Sequence, residues 1–372
     1  MTVVTWLGCN VVTGQIIEEL ADLVPSGQLS HLLSAYTSAA FKLPIPIGGA
    51  GAAPRNWEAA TEPGRTMIVA VLAGQPVWAG MVLTREGGTE ATADLGCVTL
   101  EGYLDRRYVG DHTWVGQDQQ SIIASGLIGD ANTTEGIGLT VDAPASGVPR
   151  DREYFDKDDK TVYSALQELS GIIGGPEWTI QLGWTDATQT AVSKTLRVRP
   201  RIGFLSAAPT VGQPTGTASA VFTTVGESEA RYRFGEDYTS SRGANHIVAT
   251  SSGEGDDRPQ SAPARDTALL GIGWPRYEYR FSPSSNISDV ATLDSHAAKA
   301  LALMSHGARL VTLTARADAY PRLGQDWVTG DDIGYELTGH RHPAGLTGVG
   351  RAVGWNFDPR GGVVEPFILA GA

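Results

Sequence analysis

Apolar residues along this chain fall mostly in short runs bounded by turn-forming residues, the pattern of β-strands. Only a few segments space them three and four apart, as a helix requires. Residues 66–72 (TMIVAVL) are continuously apolar, and 77–86 (VWAGMVLTRE) follow after Ala73-Gly74-Gln75-Pro76. The pair predicts a β-hairpin across a four-residue turn. Residues 92–103 predict another strand. Ahead of the hairpin, residues 15–23 (QIIEELADL) place apolar side chains at 16, 17, 20 and 23, followed by Pro25-Ser26-Gly27. That spacing predicts a short helix. Residues 42–63, rich in Pro, Gly and Ala, predict a long surface loop.

The pattern changes after Asp105-Arg106-Arg107. Residues 118–128 predict a short helix capped by Asp118, with Ile122, Ile123 and Leu127 inward. Residues 161–173 carry Val162, Leu166, Leu169 and Ile173 on one face, a helix capped by Asp158 or Asp159 and stopped by Gly174-Gly175-Pro176. Strands are expected at 178–184 and 194–202, so the middle of the chain reads as a small α+β insertion. Residues 206–230 are small and polar, and 251–265 read as an exposed loop. Strands follow at 231–234, 245–250 and 277–281. Residues 289–306 form the clearest helix, with Val290, Leu293, Ala297, Leu301 and Met304 as its stripe, Ser288 as cap, and His306 and Gly307 at its end. Strands at 309–316, 327–337 and 349–357 lead through Asp358-Pro359-Arg360-Gly361-Gly362 to a last strand at 363–369, a closing hairpin. No internal repeat of 20 to 50 residues is visible.

Composition agrees with many turns: 46 Gly and 20 Pro in 372 residues, spread without period, beside 41% hydrophobic residues. The length favours two or three packing units. With 28 Lys and Arg against 41 Asp and Glu, the net charge of −13 argues against a nucleic-acid coat, which needs clustered cations. It does not argue against an acidic surface past which nucleic acid slides. Two cysteines, Cys9 and Cys97, argue against a disulfide framework or a thiolate zinc site; two separate core thiols are expected, with a single bridge left open. The N-terminus lacks a signal-peptide pattern and no apolar run approaches 18 residues, so synthesis in a cytoplasm and no membrane span are expected.

The search for chemistry yields no catalytic set. G-x-S-x-G, H-E-x-x-H and G-x-x-x-x-G-K-[ST] are all absent. Gly345-Leu-Thr-Gly-Val-Gly350 leads into a strand, where a phosphate cradle needs a helix N-terminus. His340-Arg341-His342 reads as a solvated loop, and His296 and His306 lie nearly opposite on one helix. Asp156-Lys157-Asp158-Asp159 lacks the Gly and Glu of a calcium loop. Asp256-Asp257 and Asp331-Asp332 are adjacent pairs that point apart. The expectation is no catalytic, metal or cofactor-binding residue. Arg197, Arg199 and Arg201 alternate with Leu196, Val198 and Ile202 around Pro200, three guanidinia on one strand face. They read as a solvated edge strand or as an interface to an acidic neighbouring subunit. Nine Trp are scattered along the chain and read mainly as core anchors.

Several segments together resemble the minor tail proteins that form the tail hub of long-tailed phages of actinobacteria. They are Phe41-Lys-Leu-Pro-Ile-Pro, Thr66-Met-Ile-Val-Ala-Val-Leu, Pro76-Val-Trp-Ala-Gly-Met-Val-Leu-Thr-Arg-Glu and Val98-Thr-Leu-Glu-Gly-Tyr-Leu-Asp-Arg-Arg-Tyr. The order of a V-W-x-G-x-V strand, a G-Y-L-x-x-R strand, a helical insertion and a long helix running into a strand spans most of the chain. The resemblance implies a mainly β, baseplate-hub-like fold with two tail-tube-like β-barrels and a helix-containing insertion. The first barrel would span 1–105, completed by strands from about 203–235, the α+β insertion 106–202, and the second barrel 236–372. It implies a homotrimeric, non-enzymatic virion protein at the tail tip, joining a sixfold tube to a threefold tip, with DNA passing through its lumen unbound. Its partners would be a distal tail or tail-tube protein, a tape-measure protein and receptor-binding tip proteins. The acidic charge then becomes intelligible as a lumen that repels phosphate. Arg197, Arg199 and Arg201 are the candidate subunit contacts. The alternatives are a carbohydrate-binding tail-tip or surface module using clustered Trp, a distal tail protein, and a wall hydrolase.

Overall fold

A computed structural model describes residues 4–45, 56–132, 135–172, 174–205, 220–251, 258–283 and 289–370. The hairpin forms the centre of the first sheet. Its strands are β1 (Val4–Asn10), β2 (Ile16–Glu19), β3 (Val24–Pro25), β5 (Ser38–Pro44), β6 (Thr66–Leu72), β7 (Gln75–Gly87) and β8 (Thr92–Thr99), in the order β2-β1-β6-β7-β8-β5-β3. Every residue of β6 is buried, which is why its apolar run does not alternate. The turn is tighter than the sequence predicts: Leu72 pairs with Gln75, and only Ala73 and Gly74, at φ 48° and 82°, connect the strands. Positive φ at both central residues matches the turn to the right-handed strand twist. The strand β8 also ends sooner, at Thr99, and a 3-10 turn takes over at Leu100–Arg106.

The helix expected at 15–23 is instead the strand β2, with Cys9 opposite Ile16 and Leu7 opposite Glu19. A nine-residue amphipathic stretch gains little as a helix, whereas beside β1 the β-branched Ile16 and Ile17 join a ready ladder. Of the loop expected at 42–63, Lys42 to Pro44 belong to β5 and Trp57–Ala60 is a helical turn; residues 46–55 lie outside the described residues. The short strand β4 (Leu29–Leu32) leaves the first sheet.

The insertion holds β9 (His112–Asp118), β10 (Thr140–Asp142), β11 (Pro149–Tyr154), β12 (Glu177–Trp184) and β13 (Val192–Arg199), as a β10-β13-β12 sheet and a β11-β9 pair. Asp118 caps its helix as expected, accepting from the amides of Gln120 and Ser121. Ile122, Ile123 and Leu127 are buried, and residues 122–127 widen into a π-turn before the helix closes at Asn132. The next helix runs Val162–Ser170, capped by Thr161 rather than Asp158 or Asp159. Asp159 adopts a left-handed φ of 50° and cannot cap. The helix stops at Gly171, ahead of the predicted Gly-Gly-Pro; Ile173 lies outside the described residues. Val162, Leu166 and Leu169 are fully buried, each contributing about 1.5–3 kcal/mol. The buried side chains of β1, β6 and β7 form one continuous cluster with those of the insertion, from Cys9 and Met67 to Leu166, Trp178 and Leu196.

Residues 1–231 and 313–372 make one compact unit, and 232–312 a second. In the first, β14 (Val221–Thr223) precedes the second unit in the chain; residues 206–219 lie outside the described residues. The second unit contains most of β15 (Arg231–Asp237), then β16 (His246–Ala249), β17 (Ala264–Arg265) and β18 (Glu278–Phe281), and the helix Val290–Met304. Leu293 and Ala297 bury against Ala244, Ile247 and Ala249, with Leu301 and Met304 alongside; Val290, at the head of the expected stripe, is 49% exposed. Asp289 caps this helix; Ser288, Asp256 and Asp257 lie outside the described residues.

The strand β19 (Ala308–Arg316) follows the helix directly and leads back into the first unit, where β20 (Asp332–Leu337), β21 (Leu346–Asp358) and β22 (Val363–Ala370) complete the second sheet, β14-β20-β21-β22-β19. The strand expected at 327–337 begins only at Asp332. The chain returns to the first sheet's neighbourhood through β4, which pairs with β21 from Leu29↔Phe357 to Leu32↔Gly354. Cys9 and Cys97 are both buried and free. They sit on β1 and β8, three strand spacings apart, roughly 14 Å, too far for a bridge.

Candidate functional site

A cavity of about 460 Å³ opens in the first unit, walled by β7, β12 and β13, the loop 321–331, and the tips of β4 and β21. Its apolar wall comes from Trp78, Ile180, Ile202, Leu323 and Trp355, and its polar wall from Arg197, Arg199, Arg201, Gln75, Gln181 and Asp331. The three arginines predicted from the sequence are therefore brought together, Arg197 and Arg199 on the face of β13 opposite the buried Leu196 and Val198. They are not on an edge. The strand β13 is central, antiparallel to β12 and parallel to β10, because Pro200 falls just past its end and costs no ladder bond.

That placement supplies acids the sequence did not pair with them. Asp142 lies opposite Arg197 in the parallel register. Arg199 donates to the Asp142 carboxylate at 2.7 Å and to its carbonyl at 2.7 Å, and the Arg199 hydrogen bond first of all holds the Asp142 carboxyl below its usual range. Arg197 Nη1 donates to Gln181 Oε1 at 3.1 Å, and its Nε lies 3.5 Å from Asp142. Arg201 pairs with Asp332. Three guanidinia thus share two carboxylates, and Arg197 is the least satisfied of them.

A second polar group lies at the same cavity, and the sequence did not single it out. His31 Nδ1 is 2.9 Å from Thr329 Oγ1, its Nε2 is 3.6 Å from Glu101 Oε1, and its ring stacks on Trp355 at 5.7 Å. The order hydroxyl, imidazole, carboxylate is that of an activated nucleophile. However, Thr329 and Glu101 are both buried, Glu101 accepts the Ile180 amide at 3.1 Å, and 3.6 Å exceeds a hydrogen bond. The group joins three walls. Below it, Arg351 donates to both oxygens of Glu177, to Ile202 O at 2.9 Å and to Gly330 O at 3.1 Å, tying β21 to β12. Partners 149 and 174 positions away leave no local signal.

One charge sits on the core face. Lys194 is buried, donates to Val11 O at 2.8 Å and Val12 O at 3.0 Å, and burial lowers its pKa to about 8. Burial likewise pushes the thiols of Cys9 and Cys97 up to about 12. His340 is exposed and His342 half-buried in one bend, and among the described residues no group of three or more His, Cys, Asp or Glu is gathered to hold a metal.

No protein-family model matches the chain, and no curated protein matches it. Solved structures do. The 43 kDa tail protein of prophage MuSo2 from Shewanella oneidensis superposes with a TM-score of 0.58 at 12% identity, over 99% of this chain and 98% of that one. The tail protein from Neisseria meningitidis MC58 gives 0.55 at 15% identity, over 98% and 96%. A chain of the lidded Francisella PdpA–VgrG complex gives 0.51 at 6% identity, over 99% of this chain but 53% of that one. The chain is mainly β with an α+β insertion and has a fold shared with phage tail and baseplate-hub-like proteins.

Proposed function

We propose that this chain is a structural virion protein that forms a homotrimeric hub at the tip of a phage tail, in the manner of the minor tail proteins of actinobacteriophages. The observation that carries the reading is the end-to-end fold match to the prophage MuSo2 tail protein and to the Neisseria tail protein. The hub joins a sixfold tail tube to a threefold tip: 1–105 supplies one barrel, 236–372 the other, joined by β14 because Val221–Thr223 pair with β20 and not with the first sheet, and 106–202 the insertion between them. Its partners are a distal tail or tail-tube protein, a tape-measure protein and receptor-binding tip proteins. It acts without chemistry of its own, and the excess of 13 negative charges keeps the exit channel from holding DNA. Arg197, Arg199 and Arg201 face an acidic segment of the neighbouring subunit, with Arg197 as the main contact because its charge is least compensated.

Light-scattering mass of the purified chain and the symmetry of tail particles test the reading. Three copies per ring are expected. Six copies would overturn it in favour of a distal tail protein, and clearing of actinobacterial walls by the pure protein would overturn the absence of catalysis.

A further inference from the structure

Within the unit 232–312, residues 272–277 are anchored through their backbone yet present large apolar side chains to solvent. Ile272, Trp274 and Tyr277 are 76%, 37% and 46% exposed. The amide of Trp274 donates to Leu269 O at 3.2 Å, Asn245 Nδ2 donates to Pro275 O at 2.9 Å, and the Tyr277 amide donates to Asn245 Oδ1 at 2.8 Å. Asn245 and His246 return amide bonds to Tyr277 O. Trp274 and Tyr277 both meet the ring of Tyr238 edge-on, at 5.3 and 5.0 Å. Tyr238 is itself fixed: its hydroxyl donates to Ser305 O, and a Cβ on Gly243 or Gly307 would strike its ring at 2.5 or 2.8 Å. Exposed aromatic residues on an ordered backbone cost little entropy to bury, which is the character of a contact hot spot.

A second observation lies next to it in the chain. The strand β18 begins at Glu278 and is the outer strand of the β17-β16-β18 sheet, paired among the described residues on one side only, with β16. Glu278 and Arg280 are exposed. Such an edge offers main-chain donors and acceptors to an added strand. Charge selects what would add. Glu278 is neutralised by Arg276, while Arg280, exposed on β18, has no ion-pair partner among the described residues. The edge therefore carries uncompensated positive charge within an acidic chain.

We propose that this corner is a docking site for an extended, acidic segment of another protein, which adds as a strand beside β18 and seats an apolar side chain against Trp274 and Tyr277. A sugar chain fits less well, because a glycan makes no use of the main-chain donors and acceptors of a strand edge.

The test uses the full chain and a fluorescent octapeptide of alternating glutamate and valine with a central phenylalanine, followed by anisotropy. Saturable binding is expected, weakened roughly tenfold or more by R280E and by W274A, and abolished when alternate peptide amides are N-methylated. Unchanged circular dichroism certifies the variants, and Ile272→Ser replaces Trp274→Ala if the latter misfolds. No peptide binding, or equal binding of the N-methylated peptide, overturns the proposal. So does chitotetraose binding lost in W274A, which makes the corner a sugar site, or self-association lost in W274A, which makes it a contact between copies.

Discussion

The Arg351–Glu177 pair offers a quantitative check on how the insertion is held to the second sheet. Arg351 is 8% exposed and spends its guanidinium on four acceptors: both Glu177 oxygens, Ile202 O and Gly330 O. Arg351→Met removes the cation but leaves the Glu177 carboxylate, which keeps only the Ile202 amide at 2.7 Å, and strands two carbonyls. Removing one partner of a buried pair costs about 3–5 kcal/mol, or a fall in Tm of roughly 6–20 °C at 2–4 °C per kcal/mol. Arg351→Lys keeps the charge but loses the planar fork, so an intermediate loss is expected. The double variant R351M/E177M leaves no uncompensated charge and is expected to be more stable than R351M alone. Urea and thermal denaturation of the wild type, R351M, E177M and the double variant give the cycle. A loss below about 1 kcal/mol in R351M, or strict additivity in the double variant, would refute the view that this pair couples the two parts.

Further outcomes follow from the buried groups. Lys194 has its folded pKa lowered from 10.5 to about 8, so the unfolded state binds the extra proton between those values and stability rises with pH there. Its burial penalty is complete only well below pH 8, and the wild type is expected to gain about 1 kcal/mol relative to K194M between pH 8 and 9; the raised Cys9 and Cys97 lower the stability of both proteins over the same range, since the unfolded thiols, with a pKa of 9.0, ionise first. An equal pH slope in both proteins would refute the assignment. Native Cys9 and Cys97 are expected to resist maleimide at pH 8 and to react fully in urea, read by mass; rapid native labelling would contradict their burial. Asp118 is pushed up by burial, but hydrogen bonds from Ser146, Ser121, Gly147 and Gln120 bring its pKa below the usual value. D118A is therefore expected to lose about 1–3 kcal/mol at neutral pH, a difference that shrinks as pH falls below 3.8 and Asp118 protonates; a constant difference would count against it.

The strands were legible wherever an apolar run was closed by turn residues, as in β6, β12, β18 and the closing hairpin of β21 and β22. So were the helices at 162–170 and 290–304, because a one-sided stripe leaves the same mark in sequence and in structure. Boundaries were less so: Thr161 caps its helix in place of Asp158 or Asp159, because Asp159 takes a left-handed backbone that composition does not encode. Residues 15–23 satisfied a helical period, but the unpaired edge of β1 was the stronger partner.

At the candidate site, the sequence marked Arg197, Arg199 and Arg201 as a group because strand periodicity alone puts alternate residues on one face. It could not place β13 at the centre of its sheet, since the neighbour β10 lies more than 50 positions upstream and pairs in parallel. Nor could it join Glu177 to Arg351 or His31 to Thr329 and Glu101, which meet only after three separate stretches of chain pack together. Local periodicity, turn chemistry and net charge were written in the sequence because each depends on near neighbours or on a sum. Which charges neutralise one another, which strand lies at an edge and which aromatic side chains remain in solvent were settled by tertiary packing, since those depend on distances that only long-range contacts create.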